Sequence, residues 1–207
     1  MADAARFWDR FAERYARSPV SDEETYQAKL AKTQALMRPE MEVFEFGCGT
    51  GSTALKHASH VAHIVSTDVS PKMIEIARLK ATEQGIQNVT FRRQDFDAMI
   101  VDEGCFDMVL GLNILHLLPE WRQAIRTSFR MLRPGGYFVT STACLRDSMA
   151  FLRPVVPLGR AVGLLPSVVF FTQDDYDRRL WEVGFEITES WLPGPRKALF
   201  TIARKPD

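Results

Sequence analysis

The chain has little of several things that would mark a specialised class. Cysteine is scarce: Cys48, Cys105 and Cys144 are odd in number and far apart, with no C-x-x-C pairing. That excludes a disulfide framework or a thiolate zinc site as the organising element and predicts a reducing compartment, the cytoplasm. Charge of one sign is missing as well. The 26 basic and 26 acidic residues cancel, so there is no basic field of the kind that marks a nucleic-acid partner. Long hydrophobic runs are absent: the longest uncharged apolar stretch, 161–171, is eleven residues and contains Pro166, too short to span a bilayer. The first nine residues are charged and lack the apolar segment of a secretory signal. There is no repeat, low-complexity tract or Gly/Ser linker. What remains is 46% apolar and 25% charged residues over 207 positions, enough to bury one core. The expectation is a single α/β domain with a modest insertion, a monomer or homodimer.

Two helices are expected in the first forty residues. Phe7, Trp8, Phe11, Ala12 and Tyr15 recur at helical spacing, Ser18-Pro19 breaks the run, and Ser21-Asp-Glu-Glu starts a second helix that Pro39 stops. From 41 to 142 short apolar runs alternate with helical patterns. Strands are predicted at 42–46, 63–67, 88–94, 106–110 and 137–142, with helices near 52–58, 71–84 and 119–131. Pro71 and Pro119 suit a first helical turn, and Gly85 suits a helix stop. This alternation argues a doubly wound parallel sheet. Residues 146–171, with Pro154, Pro157 and Pro166 among Leu, Val and Phe, read as an insertion after the fifth strand. A helix capped by Thr172 runs to about Val183, and strands at 185–190 and 198–203, joined through Pro193-Gly-Pro195, make an antiparallel pair.

Chemistry concentrates in Val43-Phe-Glu-Phe-Gly-Cys-Gly-Thr-Gly51, with Asp68 closing the next apolar run. Three glycines at alternate positions allow positive φ and close backbone approach. A strand ending in such a turn offers N–H groups to a ligand, and a carboxylate at the tip of the neighbouring strand can hold the hydroxyls of a ribose. A nucleoside-containing cofactor follows, but of two kinds. Gly49-Thr-Gly51-Ser-Thr-Ala54 matches the G-x-G-x-x-A dinucleotide fingerprint, which would make the chain an NAD-dependent oxidoreductase. If the strand ends at Phe46, however, Gly47 is the first turn glycine and the last fingerprint position falls on Ser52.

Taken with Asp68-Val-Ser-Pro-Lys-Met73, Gln94-Asp-Phe96, Phe106-Asp-Met-Val-Leu-Gly-Leu-Asn-Ile-Leu-His116 and Leu132-Arg-Pro-Gly-Gly136, this first motif gives five elements in order. Together they resemble the class I S-adenosylmethionine-dependent methyltransferases, small-molecule branch, from about Val43 to Tyr137. The resemblance implies a seven-stranded, mostly parallel Rossmann-like sheet with an antiparallel last strand, and S-adenosylmethionine as cofactor. It implies helical lid residues 1–40, a cofactor-binding core 41–145, an acceptor-site insertion 146–171 and a C-terminal helix and strand pair 172–207. It places Glu45, Phe46, Gly47, Cys48, Gly49 and Gly51 around the methionine portion, Glu45 toward its ammonium end. Asp68, with Val69, goes to the ribose. Met73 faces the adenine or is plain core. Asp95, with Asp97 as a rival, reaches the adenine amino group beside the Phe96 backbone, and Asn113 lies near the sulfonium.

His116 is the one histidine placed for chemistry, either as a general base titrating near neutral pH or as a packing residue. His57, His60 and His63 lie at the wrong end of the sheet, and no metal site is expected. Trp8, Tyr15 and Tyr26 are acceptor-site or lid residues, Tyr15 and Tyr26 toward the cofactor carboxylate or the acceptor; alternatively Phe7, Phe11 and Tyr15 form one apolar helix face. The Leu- and Val-rich insertion implies a hydrophobic or amphiphilic acceptor, with Arg146, Arg153 and Arg160 flanking apolar residues at a membrane surface as a further reading. The expected reaction is methyl transfer to oxygen or nitrogen, leaving S-adenosylhomocysteine. The scattered cysteines do not offer the multi-thiol site that arsenic methylation needs. A non-catalytic, regulatory cofactor-binding protein is the other alternative.

Overall fold

A computed structural model describes residues 2–161 and 163–207. Met1 and Val162, the latter within the apolar stretch noted above, lie outside the described residues, as do the side chains of Ala2, Leu152, Arg160 and Ala161. Seven strands form one sheet in the order β3-β2-β1-β4-β5-β7-β6. Two compact units make up the chain, Met1–Met99 and Ile100–Asp207.

In the first unit, β1 (Glu42–Phe46) pairs in parallel with β2 (His63–Asp68), and β2 with β3 (Val89–Arg93). The register sets Glu45 opposite Ser66 and Asp68 opposite Arg93. The strands match the sequence expectation to within a residue at each end because apolar runs bounded by turn residues leave little choice of register. Helix α1 (Ala2–Arg17) packs against α4 (Pro71–Glu83). Between them in sequence lie α2 (Glu23–Gln34) and the short α3 (Ser52–His57). Helix α2 is capped by Asp22, not Ser21: the Asp22 side chain accepts the Thr25 N–H at 3.2 Å. It ends at Gln34, well before Pro39. Helix α4 begins with Pro71 in its first turn, as predicted; Ser70 caps it, and Gly85 at φ +66° follows its end.

In the second unit, β4 (Phe106–Leu112) and β5 (Leu132–Thr142) run parallel, while β7 (Leu199–Arg204) lies antiparallel to both β5 and β6 (Glu186–Trp191). The last strand in sequence therefore inserts between two others, as the family resemblance implied. Strand β5 starts earlier than expected. Leu132 already faces Phe106, the chain then bulges through Pro134-Gly-Gly136, and pairing resumes at Met108 and Tyr137. Helix α5 (Trp121–Met131) starts after Pro119, which lies outside its first turn. The residue before a proline is pushed to extended backbone; Leu118, at φ −94° and ψ 119°, ends the preceding turn instead of starting the helix. The insertion holds α6 (Leu145–Ser148), a 3-10 turn at Ala150–Leu152 and α7 (Val156–Ala161). Helix α8 (Gln173–Val183) opens with a capping box between Thr172 and Asp175.

Candidate functional site

The glycine turn after β1 takes the conformation its sequence demands. Gly47, Gly49 and Gly51 lie at φ +65°, +54° and +74°, values that cost an L side chain about 1–2 kcal/mol each. Gly51 is also a packing necessity, since a Cβ there would lie 2.7 Å from the Phe91 ring and 2.8 Å from the Ala77 Cβ. The turn keeps much of its own hydrogen bonding. The Cys48 N–H goes to the Thr67 carbonyl, the Gly51 N–H to the Cys48 carbonyl, and the Gly49 N–H to Asp68 Oδ2 at 2.9 Å. Those three donors are therefore spent within the protein, in contrast to the bare N–H cradle expected for a pyrophosphate. Lys80 holds the turn's far side, its ammonium 3.0 Å from both Thr50 Oγ1 and Ser52 Oγ.

Asp68, at the tip of β2, is 9% exposed. Its Oδ1 accepts the Ser70 N–H at 2.8 Å and its Oδ2 the Gly49 N–H. A carboxylate has about four acceptor positions; with the Val69 N–H also directed at it, the orientation is fixed while some acceptor capacity remains for a ligand hydroxyl. Burial raises its pKa, and its backbone hydrogen bonds oppose that rise.

Glu45 occupies a buried strand where an aliphatic residue would be ordinary. It is 2% exposed and its Oε2 accepts the Ser66 hydroxyl at 2.9 Å. Burial, with the Asp68 charge adding to it, raises its pKa to about 7. Sequence reasoning missed Ser66; the signal was a polar residue in an otherwise apolar run, and only the β1–β2 register shows that it faces Glu45.

Tyr15 and Tyr26 are brought to this centre. A Cβ on Gly49 would sit 3.6 Å from Tyr15 Cε1. Desolvation first, then the Asp68 and Glu45 charges, raise the Tyr15 pKa, although 54% of the residue's surface is open; the buried part is thus the end that feels the carboxylates. The Tyr26 hydroxyl lies 3.2 Å from Thr53 Oγ1, and its pKa is likewise raised, mainly by burial. Trp8 meets Tyr15 edge-on at 6.4 Å. The Cys48 thiol is pushed well above its usual range by burial and the same two carboxylates, so it stays protonated. Two buried carboxylates thus define the centre, and both Glu45 and Asp68 act on Tyr15 and Cys48.

The remaining expected residues are placed less uniformly. Asp95 caps a short turn, its Oδ1 accepting the Asp97 N–H at 3.1 Å. The Phe96 ring stacks on Phe46 at 4.1 Å and belongs to the core. Val69 is half-buried, whereas Met73 is 2% exposed, a core side chain of α4. His63 pairs with Glu42 at 3.5 Å, a carboxylate partner not evident from sequence, yet no cluster of three or more potential metal ligands occurs among the described residues. His57 is fully buried with neither ring nitrogen hydrogen-bonded.

In the second unit, Asn113 is a non-glycine residue at φ +57°, directly after β4. Its N–H donates to the Ser141 carbonyl at 2.6 Å and its Oδ1 accepts the Ser141 hydroxyl at 3.1 Å. Such backbone strain clusters at functional sites. His116 sits in the following 3-10 turn, its Nδ1 facing the Ala143 N–H and Thr142 Oγ1, both at 3.4 Å. The expectation that it titrates near neutral pH is not met: burial lowers its pKa to about 4. With a backbone donor aimed at Nδ1, the neutral ring carries its proton on Nε2.

Comparison with known proteins bears on this geometry directly. A family model described as a methyltransferase domain matches residues 43–136. A ubiquinone biosynthesis O-methyltransferase of Xanthomonas axonopodis pv. citri is 30% identical over 169 residues, 79% of this chain and 66% of the relative. The chain belongs to the class I S-adenosylmethionine-dependent methyltransferases. An arsenite methyltransferase of Halobacterium salinarum is 29% identical over 165 residues, 76% of this chain and 40% of that protein. The YcgJ protein of Bacillus subtilis shares the fold, with a TM-score of 0.73 at 18% identity over 87% of this chain and 99% of its own. The chain spans about half the length of most of the curated relatives it matches. S-adenosylmethionine is the cofactor of the family, and the first unit fits it. The ammonium and sulfonium suit a centre made anionic by Glu45 and Asp68, whereas a dinucleotide would bring two further negative charges to it.

Proposed function

We propose that this methyltransferase moves a methyl group to an oxygen or nitrogen of a small hydrophobic or amphiphilic acceptor, with residues 1–207 acting as one catalytic domain. The observation that carries the reading is the buried acid pair, Glu45 and Asp68, beside a glycine turn whose N–H groups are already engaged. Asp68 would take the ribose hydroxyls, Glu45 would face the ammonium end, and Asp95 with the Phe96 backbone would meet the adenine. When bound, the sulfonium cofactor supplies an activated methyl group and a neutral thioether as leaving group. The protein's own contribution would be alignment and exclusion of water, a role supported by Tyr15 against Gly49, Tyr26 beside Thr53 and Trp8 against Tyr15.

Oxygen is the favoured acceptor atom, in line with relatives named for O-methylation. Arsenite is disfavoured because the three cysteines are scattered. His116 acts in this scheme as an Nε2–H donor to the acceptor oxygen after that oxygen's proton has passed to solvent, a loss easier for a phenol than for an aliphatic alcohol, and not as a base with a pKa near 7. The test is direct. S-adenosylhomocysteine should raise the melting temperature while NADH does not, and radiolabelled S-adenosylmethionine should label phenolic or quinol acceptors. Stabilisation without transfer to any acceptor would favour the regulatory alternative, and stabilisation by NADH alone would sink the reading.

A further inference from the structure

Helix α1 carries an acidic residue where its packing pattern asks for a small apolar one. Ala5, Asp9, Ala12 and Ala16 recur at helical spacing, and Ala5 and Ala12 are 7% and 0% exposed. Small residues on such a seam allow close helix approach, and α1 packs on α4. Aspartate is a poor helix-interior residue, so its place there calls for a tertiary reason.

The hydrogen bonds supply one. Asp9 Oδ1 accepts the Ser70 hydroxyl at 2.6 Å and the Lys72 N–H at 3.2 Å, both at the first turn of α4. The same Ser70 oxygen accepts the Met73 N–H at 3.1 Å as the helix cap, and the Ser70 N–H donates to Asp68 Oδ1. Asp68 Oδ2 in turn receives the Gly49 N–H. Six residues beyond Asp9, about 9 Å along the helix, Tyr15 lies against Gly49. Helix α1 therefore touches the cofactor centre twice, through Asp9 at the support of Asp68 and through Tyr15 at the glycine turn.

We propose that Asp9 is a latch: a positioning residue that holds α1 across the cofactor centre and, through Ser70, fixes the carboxylate of Asp68. The latch sets how long the cofactor product stays bound. This rests on the cofactor reading given above.

The test is the dissociation rate of S-adenosylhomocysteine, followed by stopped-flow tryptophan fluorescence, together with tryptic cleavage after Arg17 with and without that ligand. Asp9→Ala loses both acceptor contacts. It should release the ligand about tenfold faster or more and lose ligand protection at Arg17. Asp9→Asn keeps an acceptor oxygen for both donors and should stay within about threefold of wild type, a rescue that general damage to α1 would not allow. Should Asp9→Ala fail to fold, Asp9→Glu, with its oxygen displaced by one methylene, carries the same test. Fast release would support the latch and a wild-type rate would overturn it. Unchanged release and protection in Asp9→Ala, or an Asp9→Asn as impaired as Asp9→Ala, also overturns the latch alone. A wild-type protein that does not bind S-adenosylhomocysteine brings down the cofactor reading and the latch together.

Discussion

Glu45 shows how one residue can carry a chemical signal that its surroundings deny. Strand β1 is buried from Val43 to Phe46, and a carboxylate there is desolvated with one hydroxyl partner, so its pKa lies near 7. A cation placed beside it favours the ionised form. With the ammonium at Glu45, as proposed, binding must displace a proton below about pH 7; above it the charge is already present. Affinity for S-adenosylhomocysteine should therefore rise with pH through about 7 and level off, while Glu45→Gln shows a flat profile over that range. Calorimetric titrations at pH 6 and 8 check this. Equal affinities at the two values in the wild-type protein would remove Glu45 from the ammonium site. His116 teaches the converse at the same scale. Its position in the chain suggested a base, but burial and the Ala143 N–H decide its proton affinity and tautomer, and neither is written in the local sequence.

At the scale of elements, the glycine turn was the most legible part of the chain. Gly51 and Gly85 both have positive φ, yet their surroundings differ. A Cβ at Gly51 meets Phe91 and Ala77 below 3 Å, and one at Gly85 meets nothing within 4 Å. Gly85→Ala should cost about 1 kcal/mol through backbone conformation alone. Gly51→Ala should exceed it by about 1–3 kcal/mol, because overpacking adds to the same backbone term. Urea denaturation of the two variants measures the difference, and equal costs would show that the β1 turn tolerates the methyl group by shifting. The helix boundaries that sequence missed have local causes. Asp22 outcompetes Ser21 as a cap because its side chain reaches the Thr25 N–H, and Leu118, forced extended by Pro119, delays α5. Strand β5 was expected from 137, yet pairing already starts at Leu132, ahead of the Pro134-Gly-Gly136 bulge. Where the strand begins depends on the partner strand β4, not on the turn residues.

For the molecule as a whole, stability against acid rests in part on a residue with no functional role. His57 is buried with both ring nitrogens unpartnered, and burial lowers its pKa from 6.5 to about 4. Between those values the unfolded chain binds a proton that the folded chain refuses, so stability falls as pH drops from about 6.5 toward 4. The loss from this residue is about 2 kcal/mol between pH 7 and pH 5. Glu45 acts in the opposite sense over part of the window, so the comparison must be between variants. His57→Leu should lose about 2 kcal/mol less than wild type on going from pH 7 to 5, read from urea melts. Identical losses in the two proteins would mean that His57 finds a partner, such as a buried water.

The sequence by itself determined the strand–helix alternation, the glycine turn and Asp68 at the tip of β2, because each is a short-range pattern dictated by backbone geometry, while the cofactor followed from the resemblance of five motifs in order to a known family. It also determined that the last two strands pair antiparallel, since their connection is too short for a crossover. Tertiary structure alone decided what those residues do to one another. Glu45 meets Ser66 only through strand register, and Tyr15 reaches the glycine turn only because α1 packs on α4. Asp9 meets Ser70, the cap of α4, only because the two helices pack together. Burial, a property of the folded whole, sets the proton affinities of Glu45, His57 and His116, and long-range packing leaves no trace in any local run of residues.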